Sequence, residues 1–97
     1  MLSQQYVPLG YQQISAATLA AATKLTVPPG ANFAIIRVEA SSVRWRDDGT
    51  APTTSAGMLL NSTDATPLEY SGTLSAIEFI AVSGSPILDI AYYKSVG

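Results

Sequence analysis

The sequence contains no cysteine and no histidine. The first absence removes disulfides, thiolate metal sites and cysteine nucleophiles together. The second removes the commonest general base and the commonest metal ligand. Charge is scarce as well: Asp, Glu, Lys and Arg supply 12% of the chain, about half the usual share. The basic residues Lys24, Arg37, Arg44, Arg46 and Lys94 are dispersed, and the net charge is -2. A nucleic-acid binder needs a basic stripe to displace counterions from phosphates, so no nucleic-acid partner is expected. No run approaches the roughly 20 apolar residues of a membrane-spanning helix, and no membrane partner is expected either. Residues 1–5 lack the basic start of a signal peptide, and 16–22 is too short and Thr-rich for its apolar stretch. The chain is therefore expected to be made in the cytoplasm and kept there at first.

What is present is short, alternating and punctuated. Residues 33–40 put Ile36, Val38 and Ala40 on one face and Arg37 and Glu39 on the other, the period-two pattern of a half-buried strand. Ile77, Phe79 and Ala81 oppose Glu78, and Leu88, Ile90 and Tyr92 oppose Asp89 and Tyr93. Pro28-Pro29-Gly30 fits a type II turn, with Pro second and Gly third. Residues 16–23 lack the cap and charge pattern of a helix and read as a loop with one helical turn. Residues 1–9 contain Pro8 and only scattered apolar residues, and read as an irregular lead-in. Strand signals every eight to twelve residues or so, separated by Gly, Pro and Ser turns, point to an antiparallel sandwich or barrel. The expected fold is all-β: one sandwich or barrel, jelly-roll-like, of seven or eight short strands. Its expected division is an N-terminal arm over 1–15 and a β-sandwich domain over 16–97.

The centre of the chain carries the one tryptophan. Val43 and Trp45 alternate with Arg44 and Arg46, and Asp47-Asp48-Gly49 then reverses the chain. Trp45 is read as core. Arg44 and Arg46 either pair Asp47 or Asp48 across the turn or anchor an interface, since Trp and Arg are enriched among residues that carry binding energy. Alternation buries Tyr92 and leaves Tyr93 exposed to a partner. The candidate interface residues are thus Arg44, Arg46, Asp47, Asp48 and Tyr93.

Catalysis is not expected. A glycosidase needs two carboxylates facing across a cleft, whereas Asp47 and Asp48 are adjacent and the other acids fall on outer faces or loops. Seryl chemistry lacks a histidine, and no lysine stands three residues after a serine. Calcium wants six to eight oxygens or so, more than two adjacent acids and a threonine supply. No metal or other cofactor is expected.

Several segments also look familiar together: Val43-Arg44-Trp45-Arg46-Asp47-Asp48-Gly49-Thr50-Ala51-Pro52-Thr53, Gly57-Met58-Leu59-Leu60, Leu74-Ser75-Ala76-Ile77-Glu78-Phe79-Ile80 and Ile87-Leu88-Asp89-Ile90-Ala91-Tyr92-Tyr93-Lys94. With Leu25-Thr26-Val27-Pro28-Pro29-Gly30-Ala31 before them, they resemble small structural proteins of tailed bacteriophages and prophages over residues 24–94. The string from Arg44 to Pro52 is the specific part. The resemblance implies a virion component, made in the host cytoplasm. With so little positive surface, such a component suits the capsid exterior better than the DNA-filled lumen. It would be a decoration or cement protein that binds the major capsid protein, or other virion proteins, as a trimer or dimer. The alternatives are a tail or head-tail accessory protein, or a sugar-binding fibre module using Tyr93 and the Asp47-Asp48 loop.

Overall fold

The structure, a computed structural model, describes residues 5–96. Eight strands and one helical turn follow one another as β1 (Gln5–Ile14), α1 (Ala16–Leu19), β2 (Thr23–Lys24), β3 (Phe33–Glu39), β4 (Val43–Arg46), β5 (Met58–Leu60), β6 (Leu68–Tyr70), β7 (Glu78–Ala81) and β8 (Ile87–Val96). They form two four-stranded sheets, in the orders β1-β8-β3-β6 and β2-β7-β4-β5, with antiparallel pairing throughout. That interleaving, with β4–β5 as the one connection that stays within a sheet, is the eight-stranded double-sheet jelly roll. The sheets face each other without closing into a barrel, so each keeps two edges.

Alternation builds the core between them. Ala34, Ile36 and Val38 of β3 meet Leu88, Ile90 and Tyr92 of β8 on one side, and Val43 and Phe79 face them from the other sheet. Leu19, on the single turn of α1, plugs the space from one end. Each fully buried Val, Leu, Ile or Phe among them contributes about 1.5–3 kcal/mol relative to exposure. The Pro28-Pro29-Gly30 turn forms as expected, with Gly30 at φ 87° and Ala31 N–H donating to the Pro28 carbonyl at 3.2 Å.

Four expectations are corrected. Residues 5–9 are not an irregular lead-in: Gln5–Ile14 is one strand, paired with β8 from Gln5↔Val96 to Ile14↔Leu88. Pro8 is tolerated because β1 is an edge strand, and the register shifts between Pro8 and Gly10. Residues 1–4 of the expected arm lie outside the described residues. Ala40 does not continue the inner face of β3, because it turns to φ 73° and is exposed where the strand breaks. Trp45 is half-buried, packed against the core at its margin rather than inside it. Tyr93 does face outward from its sheet, yet its ring is half-covered by Phe33 and Tyr6.

Candidate functional site

β4 delivers the central charged segment to one end of the sandwich, and residues 47–57 form the loop that returns to β5. Inside this tip the charges are matched to one another or to the backbone. Arg46 grips Asp48 with both arms of its fork, Nε donating to Oδ1 at 3.0 Å and Nη2 to Oδ2 at 2.5 Å. That guanidinium holds the Asp48 carboxyl below its ordinary range, helped by the Thr50 amide. Among the described residues Arg44 pairs with no acid: it donates to the carbonyls of Gly57 at 2.9 Å and Thr54 at 3.3 Å, pinning the far side of the loop. Gly57, at φ 137°, allows this closure, since a Cβ there would crowd Arg44, the Trp45 carbonyl and Pro52 within 3.1–3.3 Å.

Asp47 turns elsewhere. It accepts a 2.6 Å hydrogen bond from the hydroxyl of Tyr70, a residue of the opposite sheet. The Tyr70 ring is buried and stands edge-on to Trp45, with ring centroids 6.0 Å apart. Burial, reinforced by the bond to Asp47, pushes the Tyr70 phenol up to about 12. Trp45, Tyr70 and Asp47 thus staple the two sheets at this end. The two adjacent carboxylates serve different partners, and among the described residues no cluster of three or more His, Cys, Asp or Glu is placed to hold a metal.

Tyr93 belongs to another surface. It projects from the outer face of the β1-β8-β3-β6 sheet, where Tyr6 packs on Phe33 with centroids 4.7 Å apart and planes tilted by 39°, and Tyr93 flanks both rings. With Ile35 and Glu69 these rings line an open groove of about 370 Å³, in which neither Asp47 nor Asp48 takes part. The five candidate residues are therefore not one site: four form a self-satisfied tip and the fifth an aromatic face. Further along that face Asp89 accepts from Tyr11 Oη at 2.6 Å and from Gln13 Nε2 at 3.0 Å. A hydrogen bond to Asp89, and its charge, raise the Glu39 carboxyl above its ordinary range.

The surface that the candidate residues miss is β1 itself. Every residue of 5–11 is exposed, and the apolar ones include Tyr6 and Val7, each 45% exposed, and Tyr11 at 64%. A second apolar exposure lies on the opposite edge strand, where Met58 and Leu59 of β5 are open and only Leu60 is buried. The signal for β1 is available in the sequence as an absence, since no charged residue precedes Lys24.

Compared with known proteins, the chain matches no family model, no curated protein and no solved structure.

Proposed function

We propose that the protein is a non-catalytic structural subunit of a tailed-bacteriophage particle, a decoration protein that binds the outside of the head through the major capsid protein. The carrying observation is where the surface keeps its unsatisfied character. The polar tip ties up its own charges, while the apolar exposure gathers on the uncharged strand β1, the aromatic face beside it and the edge strand β5. Such surfaces suit contact with other proteins, because interface cores are depleted in charge and enriched in aromatic residues. The resemblance over residues 24–94 supplies the phage setting. Jelly rolls also build viral capsid and lectin domains, an association that supports the reading without carrying it.

Quantitative gels of purified particles test it. A decoration protein is present in numbers comparable to the major capsid protein, and heads lacking it burst at lower temperature. A handful of copies per particle points instead to a tail or head-tail accessory. Absence from particles rejects the virion reading altogether.

A further inference from the structure

We propose that β1 is a self-association edge: two copies of this chain pair their β1 strands antiparallel about a two-fold axis, joining two four-stranded sheets into one continuous sheet. The inference stands on the edge itself and not on the virion reading.

Four strands lie at sheet edges, and three of them are too short to template much pairing: β2 has 2 residues, and β5 and β6 have 3 each. β1 has 10, with β8 on one side and no strand on the other among the described residues. A long edge presents a row of backbone donors and acceptors to any incoming strand, and proteins ordinarily protect such edges with charge, proline or a bulge. Charge is missing here, because no Asp, Glu, Lys or Arg lies between Gln5 and Ile14. Proline and an irregularity are present, but both fall at one place, the register shift between Pro8 and Gly10. Residues 10–14 carry no charge, proline or irregularity of their own, and Thr26, bonded to the Gln12 side chain, and Pro28, beside Gly10, flank them.

The same lack of charge selects the occupant. In a two-fold pair every side chain of β1 meets a side chain of β1, so any charge on the strand would meet its like near the axis. A neutral strand carries no such penalty, whereas a charged partner strand would find no opposite charge on β1 itself. The side chains agree: Tyr6 and Tyr11 project on the outer face, in register with Ser95 and Ala91, and extend the aromatic patch of Phe33 and Tyr93 to the rim. Pairing would carry that patch across the axis into its copy. Tyr11 is preset for this, since its hydroxyl is held by Asp89 while most of its ring faces outward.

The absence of cysteine makes the test direct. Sedimentation equilibrium of the wild-type protein should give a dimer. Single-cysteine variants Val7→Cys, Leu9→Cys, Tyr11→Cys and Gln13→Cys should then cross-link under mild oxidation in a graded series. Only residues near the axis bring their Cα atoms within the roughly 4.4–6.8 Å a disulfide spans. Leu59→Cys, on the opposite edge, should stay unlinked. Should a variant misfold, hydrogen exchange on the wild type provides a second reading: β1 amides gain protection as concentration rises. A monomer at every concentration overturns the proposal, as does a trimer, because a three-fold axis pairs no strand with its own copy. Cross-linking through Leu59→Cys instead of β1 overturns it too. A monomer found abundantly on phage heads would sink this inference and leave the proposed function standing.

Discussion

The tip at residues 47–57 and the β1–β8 ribbon both extend from one core, and they treat their polar groups in opposite ways. The tip is crowded with charge but closed: Arg46 is taken by Asp48, Arg44 by two carbonyls, and Asp47 by a tyrosine from the other sheet. The ribbon has almost no charge but is open, with both faces of its first half in contact with solvent. Charge density is therefore a poor guide to which groups of this molecule remain free. A charged group with a fixed partner has little left to offer, and releasing it costs the interaction it already has. A neutral edge strand keeps available the backbone groups that point away from its neighbour.

The difference can be broken from the tip side most strongly. Tyr70→Ala removes a buried ring that holds Trp45 and Asp47 together, and should lower unfolding free energy by about 3 kcal/mol in denaturant titration. Next comes Gly72→Ala. Its new methyl would collide with the Tyr70 ring and hydroxyl, costing about 1–3 kcal/mol by overpacking. The two effects should not add, since both act through one ring. If Gly72→Ala is as stable as wild type, the staple between the sheets is looser than described.

A milder test uses ionisation. Burial pushes Tyr70 and Tyr92 up from 10.0 to about 12. A folded pKa above the unfolded one means that the native state holds its proton longer. Stability from these groups is complete below pH 10.0 and is lost as pH rises toward about 12. In an absorbance titration these two phenols should lag behind the ordinary range and appear sharply if the protein unfolds.

Smaller still is Asp48→Asn. Its depressed pKa places the stabilisation above the ordinary value of 3.8, and lets it vanish as pH falls below that value. The gap in melting temperature between variant and wild type should be small at neutral pH, shrink with added salt and close in acid. Tyr11→Ser, on the ribbon, should weaken self-association while leaving the melting temperature unchanged when both proteins are compared at dilutions where they are monomeric. A large loss of stability there would place the ribbon within the folding unit as firmly as the tip.

Much of the sandwich was legible because strand alternation is a local signal that burial reinforces. Leu88, Ile90 and Tyr92 announce an inner face, and the structure buries all three. Alternation also misled where it ran past a strand's end, as at Ala40, because a reversal of φ leaves no trace in hydrophobicity. β1 was missed over 5–9 because an edge strand outside the core needs no alternation: its order comes from pairing with β8, more than 80 positions away in the register. The positive φ at Gly49 was legible, and so was the pairing of an arginine with Asp48; the reversal expected at Asp47-Asp48-Gly49 falls instead at Thr53 and Ala56, whose backbones bond each other. The bond from Tyr70 to Asp47 was not, since it joins residues 23 apart across two sheets. Tyr93 was placed on the correct face, but its neighbours Tyr6 and Phe33 come from distant strands that no local pattern connects to it.

Because Gln5 lies opposite Val96, the head and tail of the described chain emerge side by side. A label carried at Gln5 and one carried at Val96 would therefore sit at the same corner. A short bridge could splice those ends, with fresh termini cut at the exposed residues 53–56, to give a permuted chain with the same strands in a new order. Such a circularised variant would free the corner beside β1 of appendages and carry them on the loop between β4 and β5 instead.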